Sequence, residues 1–140
     1  MTIEKNKDLL RRYVEEVLNK RNVDAVDKFF AAGCVDHTAP PGTPLGIIGI
    51  KQLLAATLEA FSNMHVTIED MIGEGDKIVS RFVGRGAHTT EFMGVAPTGK
   101  ELTIMQINID YIANGKIVEH WGLADQIALM QQLGVSPLTE

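Results

Sequence analysis

A histidine and an aspartate close in sequence, His120 and Asp125, are the pair in this chain best suited to moving protons near neutral pH. In an extended run through Ile117-Val118-Glu119-His120-Trp121, alternation puts Val118 and His120 on one face and Ile117 and Trp121 on the other. Asp125 follows that run at the start of the last helix. Burial would raise its carboxyl pKa, whereas a protonated imidazole beside it would lower it. The same aspartate also suits a helix cap, where a carboxylate accepts backbone N–H bonds. The two roles are compatible.

Other polar residues sit where a ligand could meet them. Gln106 and Asn108 share one face of a segment otherwise rich in Ile and Met, and an amide there is costly unless it finds a partner. Gln106 is expected to orient a ligand carbonyl; Asn108 faces either a pocket or the outer surface. His37 precedes a proline-rich loop and is either a rim residue or a structural hydrogen-bonding group, with Asp36 pointing the other way. Tyr13 and Trp121 could stack on a flat ligand or pack in the core. His88 reads as a strand-end residue, and His65 as facing solvent. The one cysteine, Cys34, has no intrachain partner and reads as a small buried apolar residue.

Several chemistries lack their signatures. No two histidines have the i, i+4 spacing of a helical zinc motif, so no metal is expected. Gly-x-Gly-x-x-Gly and phosphate-loop patterns are missing, so no nucleotide cofactor is expected. There is no Gly-x-Ser-x-Gly elbow for a serine nucleophile. The net charge is −5 without a basic stripe, which argues against nucleic acid. No apolar run approaches the roughly 18 residues of a membrane span, and the first residues are polar, so a cytoplasmic protein is expected.

The elements that must position these residues follow from periodicity. The 140 residues, 45% hydrophobic and 22% charged, suit one globular domain over residues 1–140. Leu10, Tyr13, Val14, Val17 and Leu18 predict an amphipathic helix from Thr2 to Lys20. Val23 to Phe30 predicts a short helix stopped by Gly33, Val35 to Thr38 a short extended piece, and Ile47 to Phe61 a third helix. After Asn63 the period changes to two: Met64 to Ile72, Lys77 to Thr89 and Glu101 to Ile112 read as strands, with a bulge or bend at Gly84 and Gly86. Asn114-Gly115 marks a tight hairpin into a further strand. Ala124 to Leu133 closes the chain as a helix ending at Gly134. Three helices followed by a meander of about four strands is α+β, with an antiparallel sheet curved around the helices and a pocket between the layers. Ile107, Ile109 and Tyr111 would face outward and pair two chains as a homodimer.

These elements carry motifs that resemble a known family. They are Asp36-His37 before a Pro-Gly loop, Ile68-Glu69-Asp70-Met71-Ile72 before Glu74-Gly75-Asp76-Lys77, and Phe92-Met93-Gly94-Val95 with Pro97-Thr98-Gly99-Lys100. The strongest is Ile112-Ala113-Asn114-Gly115-Lys116-Ile117-Val118-Glu119-His120-Trp121, then Asp125 and Leu129-Met130-Gln131-Gln132-Leu133-Gly134. Over nearly the whole chain this resembles the SnoaL-like polyketide cyclases, within the nuclear transport factor 2-like superfamily. The resemblance implies a cone-shaped α+β fold, frequent homodimers and a cofactor-free ester cyclase that closes a ring on a hydrophobic carbonyl compound by an aldol-type step. The family's acid/base is an aspartate, which the Glu-His-Trp-x-x-x-Asp stretch matches to Asp125, with His120 as its partner. His37, Gln106, Tyr13 and Trp121 would then hold the substrate. The same scaffold also serves isomerases, dehydratases, epoxide hydrolases and non-catalytic binding proteins, and fold alone does not choose among them.

Overall fold

The computed structural model of the chain describes residues 2–92 and 94–135. The first helix, α1 (Ile3–Tyr13), starts where the Thr2 hydroxyl accepts the Lys5 N–H at 3.1 Å. It continues through a wider π-helical stretch, Val14–Asn19, so the expected single helix is present with a changed pitch in its second half. Leu10, Val14, Val17 and Leu18 form its buried face. A 3-10 helix, Val23–Lys28, follows.

The next element departs from expectation. Phe30 does not end a helix; it begins strand β1 (Phe30–Asp36), and Gly33 lies inside that strand. Phe29 and Phe30 are both buried, and the Phe29 carbonyl accepts the Ile117 N–H at 2.8 Å, which draws the backbone into the sheet. Helix α2 (Gly46–Ala60) comes after the Pro-Gly loop. Its last carbonyls are met by the Arg21 guanidinium, which donates to Leu58 O and, at 3.2 Å, to Phe61 O. A cation there also complements the helix dipole.

Strands β2 (Phe61–Glu74), β3 (Lys77–His88), β4 (Glu101–Ala113) and β5 (Lys116–Ala124) complete a five-stranded sheet in the order β1-β5-β4-β3-β2. All neighbours are antiparallel except β1 and β5, which run parallel. The sheet is therefore mixed, one strand wider than the sequence predicted. Asn114 and Gly115 both take positive φ, 52° and 75°, as a tight hairpin between right-twisted strands requires. The last helix, α3 (Gln126–Leu133), is stopped by left-handed Gly134.

The irregularity expected at Gly84 and Gly86 falls on the partner strand, opposite Gly86, and a second one lies further along it. Strand β3 stays in register with β4 from Lys77 to Ala87, while β2 shifts against β3 between Ser62 and His65 and between Ile68 and Asp70. Gly86 serves that irregularity from across the ladder: a methyl carbon there would stand 3.1 Å from Met64 Cα. Asn19 holds the displaced strand, its side-chain amide accepting the Val66 N–H at 2.7 Å and donating to Val66 O at 3.0 Å.

Among the described residues, helices cover one face of the sheet and leave the other bare. Leu10, Val17, Phe29, Ile78, Ile112 and Ile117 pack one end of the interior, and Phe61, Leu102, Leu129 and Leu133 the other. Members of both clusters line a cavity. Among the described residues no helix is long and apolar enough to cross a membrane.

Candidate active site

The cavity holds about 310 Å³, at the small end of ligand pockets. Its apolar wall carries Phe30, Phe61, Phe82 and Phe92 with Ile50 and Leu54. Its polar wall comes from strict alternation in β4, whose even-numbered residues Ile104, Gln106, Asn108 and Asp110 all line it. Opposite the last three of these in β5 stand Ala124, Gly122 and His120, in that order.

Asp110 and His120 are cross-strand partners, and Asp110 Oδ1 lies 2.6 Å from His120 Nδ1. Asp110 is 2% exposed. A carboxylate buried to that degree needs a strong partner, and the imidazole supplies it. Burial by itself lowers the His120 pKa; the hydrogen bond and charge of Asp110, with the charge of Asp36, outweigh it, and the pKa is raised. With Nδ1–H committed to Asp110, the neutral ring has its lone pair on Nε2. His120 and Asp36 are register partners across β5 and β1, and both line the cavity. Asp36 Oδ1 accepts from the Thr38 backbone N–H at 3.1 Å and lies 3.2 Å from the Thr38 hydroxyl, whose oxygen accepts the Gly122 N–H at 2.8 Å. Further along, Gln106 Nε2 donates to Asn108 Oδ1 at 2.7 Å, and Asn108 Nδ2 lies 3.4 Å from Ser80 Oγ.

Of the residues expected at the site, His120, Gln106 and Tyr13 line the cavity. Tyr13 is also core, packed edge-on against Phe30 at 5.1 Å between centroids, and burial holds its phenol far above the ordinary range. Asp125, His37 and Trp121 lie elsewhere. Asp125 is exposed and caps α3, accepting the Ala128 N–H at 3.0 Å; it sits past the last cavity-facing residue of β5. Trp121 lies one position from His120 and so takes the opposite face, where it stacks on His37 at 4.3 Å and 11° between planes. His37 Nε2 lies 2.9 Å from Glu119 Oε1 on that same outer side. His65 is exposed, and His88 is fully buried at the end of β3. Cys34 is 2% exposed and its thiol is pushed up to about 12, chiefly by burial, so it is no nucleophile at neutral pH.

Asp110, Asp36 and Asn108 are the members that sequence reasoning missed or left open. Parity was the available signal for two of them, since Asp110 and Asn108 alternate in step with Gln106.

Sheet and helices thus enclose an apolar hollow that carries a buried carboxylate–imidazole pair on its wall. The chain belongs to the SnoaL-like polyketide cyclase family, whose model matches residues 7–133. It is 28% identical over 129 residues to aklanonic acid methyl ester cyclase AcmA of Streptomyces galilaeus, covering 89% of this chain and 88% of that one. Among solved structures, IdmH of Streptomyces antibioticus is 33% identical with a TM-score of 0.80, covering 93% of this chain and 99% of the other. TsrD of Streptomyces laurentii superposes with a TM-score of 0.88 at 22% identity, over 96% and 98% of the two chains, and shares the nuclear transport factor 2-like fold.

Proposed function

We propose that the protein is a cofactor-free ester cyclase that closes a ring on a hydrophobic carbonyl compound by an intramolecular aldol step. The observation that carries this reading is the 2.6 Å contact between buried Asp110 and His120 Nδ1, which commits one ring nitrogen and leaves Nε2 beside the cavity. In the proposed reaction, His120 Nε2 takes the acidic proton from a carbon between two carbonyls. The electron pair left on that carbon forms the new C–C bond to a second carbonyl carbon, whose π pair moves onto its oxygen. The imidazolium returns the proton to that oxygen, giving a hydroxyl and restoring the neutral ring.

Asp110 stabilises the intermediate imidazolium and fixes the ring's orientation, while Gln106 orients a carbonyl. Proton transfer by a positioned group is worth about 10²–10⁴-fold. Holding the two reacting carbons together against the aromatic wall contributes on the order of 7–11 kcal/mol in well-oriented intramolecular reactions. The acid/base role passes from Asp125 to His120 in this reading, because the Asp125 carboxylate is occupied as a cap and exposed.

The test uses the substrate named for the similar cyclase, aklanonic acid methyl ester, in deuterated water. Ring closure, with deuterium entering the unreacted ester at its acidic carbon, is expected for wild type and lost in His120→Ala. If neither exchange nor closure occurs while the ester binds, the protein is a binding module and the cyclase reading fails.

We further propose a homodimer through the bare sheet face. A cross-strand row there runs Ile72, Val79, Ile109, Trp121, with Ile107 and Leu123 beside it. Ile72 and Leu123 are 68% and 73% exposed, more apolar surface than a lone sheet face ordinarily leaves in water.

A further inference from the structure

A second hollow, of about 460 Å³, lies between β1, the Pro-Gly loop and the first turns of α2. It shares Asp36, Ala39, Ile50 and Leu53 with the cavity. Each of these four residues borders both spaces, so nothing thicker than one residue divides them there. The junction lies on the reacting side of the cavity, because Asp36 is the register partner of His120.

The frame of this hollow is closely packed. A methyl carbon at Gly49 would overlap Pro44 O, and one at Gly46 would stand 2.5 Å from Ala32 O, so α2 closes on the loop and on β1 only through glycine. Gly33, which lines the same hollow, is the contrast. Its φ lies outside the left-handed region, and a methyl carbon built there meets nothing within 4 Å. Room is left at that position.

The lining chooses the occupant. Cys34 and Ile50, both buried, line the hollow with Val35, Pro44 and Leu53. No Lys or Arg is among the described residues around it. Its oxygen-bearing side chains are engaged by the chain itself: Asp36 Oδ1 accepts the Thr38 N–H, and the Thr43 hydroxyl donates to Pro40 O at 2.6 Å. Water held against such walls finds few partners, and a hydrocarbon group gains by displacing it.

We infer that this hollow is a second ligand subsite, which takes an apolar arm of the molecule whose carbonyl end occupies the His120 cavity. The ligand class is then a carbonyl compound with a hydrocarbon arm next to the reacting carbonyl, since the junction stands beside His120. The inference rests on the cyclase reading for the carbonyl end alone. It also gives the 310 Å³ cavity a way to serve a ligand larger than itself.

A series of fluorescent ketones tests it: 6-acyl-2-dimethylaminonaphthalenes whose acyl arms run from two to eight carbons, titrated by their emission shift. Each methylene removed from water tightens binding by roughly fourfold, so wild-type affinity is expected to climb steeply along the series. Gly33→Phe puts a ring into the hollow, and Ala39→Trp plugs the junction. Either variant should bind the two-carbon probe as wild type does and lose the gain from longer arms. The second variant decides the matter if the first fails to fold. A wild type that gains nothing from added carbons, or a gain that persists in both variants, overturns the subsite. The cyclase reading fails separately. Arm-length dependence that is lost in these variants, in a protein without C–H exchange, keeps the subsite; exchange in a protein whose affinity ignores arm length removes it.

Discussion

Removing the charge of Asp110 while keeping its shape would separate the forces acting on His120. Burial disfavours the imidazolium, and the Asp110 hydrogen bond and charge, helped by Asp36, reverse that. Tyr13 faces the same space as a neutral phenol, and Glu119 is engaged outside by His37. In Asp110→Asn, burial regains its weight, so the His120 pKa is expected to fall from above about 6.5 to below it. A ¹H–¹⁵N titration of the ring reads this directly, and an unchanged titration would remove Asp110 from the pair. The acidic limb of the rate profile should move down with it, while the rate drops by about 10²–10⁴-fold. Asp125→Ala should do something different: loss of the α3 cap costs about 1 kcal/mol in urea unfolding, and C–H exchange continues. Exchange lost from a folded Asp125→Ala protein would return the acid/base role to that carboxylate.

The strands explain why the site was half legible. Alternation in β4 is unbroken, so the face holding Gln106 could be read from period alone. Strand β5 is not so simple. A two-residue turn at Asn114-Gly115 pairs Ala113 with Lys116 and Ile112 with Ile117, and a regular ladder would then set Asp110 against Glu119. The observed register shifts after Ile112, so Tyr111 meets Glu119 and Asp110 meets His120. Val118 is the extra residue of this bulge. It allows Ile117 to stay in the core and His120 to face the cavity, although three positions apart they should point oppositely. Nothing local in the sequence marks that slip; packing at both ends decides it. Strand β1 was misread for a related reason, since Val26, Phe29 and Phe30 match helical spacing and only β5, far along the chain, offers Phe30 a ladder. Tertiary ties of this kind are measurable. Asn19→Ala removes both bonds that anchor Val66 and is expected to destabilise the fold by about 1–3 kcal/mol, read as a lower urea midpoint with an unchanged slope.

At the scale of the molecule, the raised His120 pKa makes stability depend on pH. The folded state holds this proton more tightly than the unfolded chain, so the contribution is complete below about pH 6.5 and is lost as pH rises through the higher folded value. Wild type should therefore lose part of its advantage over His120→Gln between pH 6 and the alkaline side, by denaturant titration at each pH; a difference that stays constant would contradict the shift. The bare sheet face gives a second prediction. Ile109→Lys sets a charge in the middle of the apolar row and is expected to convert a dimer to a monomer by light scattering, with exchange activity retained. The parallel joining of β1 to β5 has one more consequence. Thr38 and Gly122, bonded in the cavity wall, are 84 residues apart in the chain, and among the described residues β1 adjoins no strand but β5. During synthesis on the ribosome, β1 emerges well before β5 and waits, without that ladder partner, until β5 has left the exit tunnel. The nascent protein can form its first helices well before β5 and α3 arrive to complete the cavity wall.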